Sequence, residues 1–140
     1  MRCPNQKSAL RTPNTTTQTI GANGFLSFAT NDVLTGCAIT HALNTPNVSL
    51  LKGLYIVSVE ADVQATAAGD IAIQLLQDGA AINGAKATVT AVTGTTYHLA
   101  IPMTNIVVAQ ACPMVKSLLQ VQLTAAGTVS NAMFNVTKQA

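Results

Sequence analysis

The chain has 140 residues, 49% of them hydrophobic and only 9% charged, with a net charge of +2. That length is one domain, able to bury a core without a metal or disulfide staple, and the near-neutral balance excludes a strongly basic nucleic-acid-binding domain. Ordinary globular chains are about a quarter charged, so the deficit predicts a weakly hydrated surface that self-association or docking on a larger assembly would cover.

Arg2, Lys7 and Arg11 place three of the seven basic residues in the first eleven positions, and no acid precedes Asp32. With Pro4 and Pro13, this opening is expected to be an extended anchoring arm that lies on an acidic or polar partner surface. Residues 1–20 are therefore set apart as the arm, with TTTQTI (15–20) able to form a first strand, and residues 21–140 as one domain. The first twenty residues lack the apolar run of a signal peptide, and no stretch has the apolar length of a membrane span. Synthesis in the cytoplasm is the expectation, and with it Cys3, Cys37 and Cys112 as reduced thiols, a Cys37–Cys112 bridge being the alternative. The cysteines lack the close spacing of a zinc site.

Beyond GANG (21–24), FLSFA (25–29) and CAITHAL (37–43) are short strand candidates ended by TND and NTPN. GLYIVSVEADVQ (53–64) gives the clearest pattern. Tyr55, Val57, Val59, Ala61 and Val63 fall on one face, while Ile56, Ser58, Glu60, Asp62 and Gln64 fall on the other. A period of two is that of a half-buried antiparallel strand. DIAIQLLQ (70–77) follows with Ile71, Ile73 and Leu75 inward, then Asp78-Gly79, a pair suited to a tight turn. Asn83-Gly84 is a second turn signal, before the strand AKATVTAV (85–92). TTYHLAIPM (95–103) turns Tyr97, Leu99 and Ile101 inward, and Pro102 marks a strand end or an edge. NIVVA (105–109), KSLLQVQLTA (116–125) and NAMFNVT (131–137) complete the series, with Leu119, Val121, Leu123, Phe134 and Val136 inward. Eight to ten short strands separated by Gly-, Asn- and Pro-rich turns predict an all-β antiparallel sandwich or jelly roll.

No constellation of catalytic residues stands out. His41 and His98 sit in alternating segments with no acid near either in sequence, Cys112 has no local base, and no Gly-rich loop opens a helix. Glu60 and Asp62 form the close acid pair; a solvated sheet face accounts for them more simply than acid–base work or cation binding. No catalytic, cofactor or metal residue is assigned, and neither nucleic acid nor membrane is expected as a partner.

Gly53 and Tyr55 heading an alternating strand, Ile71 through the Asp78-Gly79 turn, Leu119 through Leu123, then Gly127 and Phe134 resemble the jelly roll of the tumour necrosis factor and complement globular-head type. The likeness runs from about residue 37 to 137 and is closest to the short versions on phage virions and at the tips of bacterial and spore-surface collagen-like fibres. It implies a homotrimer with one sheet packed around a threefold axis, for which the outward apolar side chains Ile56, Leu76 and Leu118 are the interface candidates. The expected function is that of a structural virion protein, a trimeric phage capsid decoration or head-fibre protein on the virion surface. Arg2, Lys7 and Arg11 would hold it to the major capsid protein or another shell protein. The alternative is a receptor- or glycan-binding trimeric head of a fibre or surface filament, a reading that expects a stalk this sequence does not show.

Overall fold

Alternation over residues 53–65 has the consequence expected of it: Tyr55, Val57, Val59 and Val63 are fully buried and Ala61 is 1% exposed, while Glu60 lies in solvent. The computed structural model describes residues 7–109 and 116–140, and among these it contains strands and no helix. In chain order the strands are β1 (Ala9–Asn14), β2 (Gln18–Ile20), β3 (Gly24–Phe25), β4 (Val33–Thr35), β5 (Ile39–His41), β6 (Val48–Leu50), β7 (Gly53–Ala65), β8 (Gly69–Gln77), β9 (Ala80–Ala91), β10 (Thr96–Val108), β11 (Ser117–Leu123) and β12 (Gly127–Lys138). They form two antiparallel sheets, the jelly-roll sandwich predicted. The front sheet runs β10-β7-β12-β1-β4, with β2 also on β12; the back sheet runs β5-β6-β11-β8-β9, with β3 on β11.

One apolar layer lies between the sheets. Leu10, Val57, Val59 and Val136 of the front sheet meet Ile71, Ile73, Leu75, Leu119, Val121 and Leu123 of the back sheet, all at 2% exposure or less. Phe28 and Phe134 pack edge to face within it, ring centroids 5.2 Å apart. Each such side chain contributes about 1.5–3 kcal/mol by leaving water.

The segment expected to be an arm is built differently. Arg2 lies outside the described residues, but from Ser8 onward the chain belongs to the sandwich. Strand β1 sits between β12 and β4, and β2 pairs with β12 as well. The cause is visible in ALRTPN: Leu10, Thr12 and Asn14 alternate inward, and the two polar side chains are satisfied by the carbonyls of Thr30 and Ser27. Pro13 does not interrupt the pairing. Its carbonyl accepts from Ala29 N on the β4 side, so the missing N–H also faces that side, beyond the end of β4.

Of the local expectations, those for Asp78-Gly79 and Pro102 hold and two change. Asp78-Gly79 is the predicted two-residue hairpin, with φ of 52° and 83°. Asn83-Gly84, however, does not reverse the chain. It forms a bulge inside β9, where Gln74 pairs with Lys86 and Leu76 with Ala81, and Gln74 Nε2 lies 3.0 Å from the carbonyls of both Ile82 and Ala85. Strand β10 runs through Pro102 at an irregularity between Ile101 and Thr104, which an edge strand tolerates. Cys37 is disulfide-bonded, with its partner outside the described residues, where Cys3 and Cys112 lie. The expectation of three reduced thiols is corrected there, since sequence spacing does not report the Cα distance that bridging requires.

Two measurements test this architecture. Leu10→Ala is expected to cost about 2–5 kcal/mol in urea unfolding, whereas a residue on a free arm would cost under about 0.5 kcal/mol. Tyr55 is fully buried with its hydroxyl donating to Leu51 O, and desolvation pushes its pKa up to about 12 from 10.0. The folded state holds the phenol proton more tightly than the unfolded chain does. That contribution to stability is therefore complete below pH 10 and lost as the pH rises toward 12. Unfolding followed over this range should show a steeper decline for the wild type than for Tyr55→Phe.

Candidate functional site

Alternation that sends one row of side chains inward leaves a second row outward, so each sheet has an outer face. On the front sheet, β7 presents Leu54, Ile56, Ser58, Glu60 and Asp62, and β10 presents Val107, Asn105, Ala100 and His98 opposite them. At one end Leu54 and Val107 are direct cross-strand partners and stand 36% and 63% exposed, with half-buried Ile56 beside them. Met103, in the β10 irregularity, is exposed as well.

The three predicted interface residues do not share this face. Ile56 lies on the outside of the front sheet. Leu76 and Leu118 lie on the outside of the back sheet, where Leu76 pairs with the outward Gln120 and Leu118 alternates with buried Ser117 and Leu119. Leu76 is only 6% exposed within the protomer, so association would gain little from it. The sequence marks all three as outward but not which outside each belongs to.

The front face also assembles a cluster that sequence distance conceals. His98 pairs across β7 with Asp62, its Nδ1 2.7 Å from Asp62 Oδ1, and its Nε2 lies 3.7 Å from Glu60 Oε2. A carboxylate only accepts, so Nδ1 carries the proton. The groups are largely in water, where such pairs contribute about 0–1 kcal/mol. The imidazole stands between the two carboxylates instead of converging with them on one point, and among the described residues no group of three His, Cys, Asp or Glu side chains is arranged to hold a metal ion. Among the described residues no hydroxyl hydrogen-bonds to His98 either.

His41 has a different fate. It is 6% exposed, edge-on to Phe28, with Nδ1 2.6 Å from Asn31 Oδ1 and Nε2 2.9 Å from Thr45 O. Asn31 Nδ2 donates to His41 O, which fixes the orientation of the amide. The ring thus ties the 28–32 loop to the 42–45 loop. It borders a shallow groove of about 480 Å³ beside β4 to β6, yet both its nitrogens are already engaged. Of the arm residues, Lys7 is exposed, and Arg11, on the front face, pairs with Asp32 at 3.8 Å. Among the described residues no helix is long and apolar enough to cross a membrane.

No family model matches the chain, and no curated protein matches it in sequence. Solved structures do. The globular domain of zebrafish complement 1qA protein superposes with a TM-score of 0.70 at 10% identity, over 92% of this chain and 94% of that one. Eiger TNF from S. frugiperda gives 0.62 at 12% identity, over 96% and 92%. PRD1 vertex protein P5 gives 0.53 at 17% identity, over 93% and 94%. At such identities the likeness is one of fold, and the fold is the jelly roll of the tumour necrosis factor and complement globular-head type.

The two histidines give a contrast that urea unfolding at pH 7 can measure. His41→Leu strands the acceptors of Asn31 and Thr45 and should cost about 1–3 kcal/mol, while His98→Ala should change stability by less than about 0.5 kcal/mol.

Proposed function

We propose that the chain is a homotrimeric structural head on a virion surface, a phage capsid decoration or head-fibre protein made in the host cytoplasm and attached to the major capsid protein or another shell protein. The observation that carries the trimer is the apolar strip Leu54–Ile56–Val107 on the outer face of the front sheet, with Leu54 and Val107 exposed and Ile56 half-buried. Against the solvent it is a cost. Facing two further copies around a threefold axis, each side chain gains the share of the about 1.5–3 kcal/mol full-burial value that its exposed part leaves, before the ordering costs of association. Of the two back-sheet candidates, Leu76 is already covered and Leu118 is half-buried. Heads of this fold are typically homotrimers, which supports the same assembly.

The virion setting is supported by the similarity to a phage vertex protein and by the scarcity of charge, which suits a surface spent on packing. The role proposed is one of binding and structure.

Sedimentation of the purified chain should give three times the protomer mass, and Ile56→Glu with Val107→Glu should return it to one. Virion shells assembled without the chain should take it up at a saturable number of sites. A wild type that sediments as a single folded protomer removes the trimer. Glycan binding with no uptake onto shells replaces decoration with the receptor-binding head.

A further inference from the structure

The few charges of this chain are sorted along the strands. Lys138 is the last residue of β12 and pairs with Tyr55, next to the start of β7; its backbone N–H donates to Ser8 O, directly after Lys7. Lys52 immediately precedes Gly53, and Lys116 immediately precedes Ser117, which pairs with Leu50. The ladder therefore brings Lys7, Lys52, Lys116 and Lys138 to one end of the sandwich. The first three are exposed and the fourth half-buried. Among the described residues none of the four has an ion-pair partner, whereas Arg11 is paired with Asp32. The acidic side chain at that end, Asp78, is engaged by Ser117 Oγ and Leu118 N. Glu60, Asp62 and Asp70 lie farther along the sandwich, roughly 15–35 Å from the lysines at about 3.3 Å per residue.

We propose that this lysine-bearing end is the docking surface through which the head attaches, and that it fits an acidic protein surface. The inference rests on the attachment reading above and moves the contact from an N-terminal arm to an end of the folded domain. A molecule with four lysines against the single engaged carboxylate of Asp78 at one end, and Glu60, Asp62 and Asp70 farther along, approaches a negative surface basic end first. In a trimer whose strands run along the axis, the end is repeated three times on one side, and its contacts add by avidity. Lysines are point charges. Among the described residues this end holds neither the arginine forks nor the exposed aromatic rings that a nucleic-acid surface uses, which favours carboxylates on a protein.

The test uses the full chain and three single charge reversals, Lys52→Glu, Lys116→Glu and Lys86→Glu, the last in β9 away from this end. Binding to immobilised poly-L-glutamate and to immobilised duplex DNA is measured at 50 and 300 mM NaCl, with sedimentation as the check on assembly. Lys52→Glu and Lys116→Glu are expected to weaken polyglutamate binding about fivefold or more at the lower salt, Lys86→Glu to leave it near wild type, and all three to sediment as the wild type does. An equal loss with Lys86→Glu makes the effect one of net charge and overturns the surface, as does wild-type binding no stronger than that of the variants. Tighter binding to DNA than to polyglutamate, lost with Lys52→Glu, overturns the protein partner in favour of nucleic acid. Lysine-dependent polyglutamate binding without uptake onto shells supports the surface and sinks the shell reading alone.

Discussion

The structure depends on burying one face of β7 against the back sheet. Tyr55, Val57, Val59, Ala61 and Val63 fill the middle of the apolar layer, and β7 lies between β10 and β12, so its register is transmitted to both neighbours. A slip of one residue would exchange those five side chains for Ile56, Ser58, Glu60, Asp62 and Gln64, placing two carboxylates in the core. Strand β12 passes the constraint on, since it pairs with β7 on one side and with β1 and β2 on the other.

The surfaces available for function are what this constraint leaves over. The outward row of β7 begins with Leu54 and Ile56 and ends with Glu60 and Asp62, so one strand carries both the apolar strip assigned to self-association and the acids that pair with His98. With 9% of its residues charged, the chain cannot scatter ions evenly over its surface. Their placement, four lysines with the engaged Asp78 at one end and Glu60, Asp62 and Asp70 farther along, therefore gives the molecule a direction. A jelly roll carries many unrelated functions, and here the argument for function comes from exposed leucine, valine and lysine rather than from a pocket.

The two histidines show how little residue type decides alone. Both occupy β-strands in segments of similar polarity. His41 is enclosed by Phe28, Asn31 and Thr45 and locks two loops, while His98 stands in solvent between two carboxylates. One is a structural tie and the other a solvent-exposed group of the front face.

The sequence by itself determined which side chains point the same way. Alternation is a local property of an extended backbone, so the inward rows of β7, β8, β11 and β12, the Asp78-Gly79 hairpin and the sandwich class were all legible. The expectations for the N-terminal segment and for Asn83-Gly84 failed where a distant segment decides. ALRTPN has only six residues of pattern, and it became a strand because β12 and β4 were there to pair with it. Asn83-Gly84 became a bulge because the amide of Gln74 holds the carbonyls around it. Asp62 and His98, 36 residues apart, became neighbours through the β7–β10 ladder, and Ile56 parted from Leu76 and Leu118 because they belong to different sheets. Facing is set by the residue and its immediate neighbours, whereas adjacency is set by long-range strand pairing, and only the folded chain contains it.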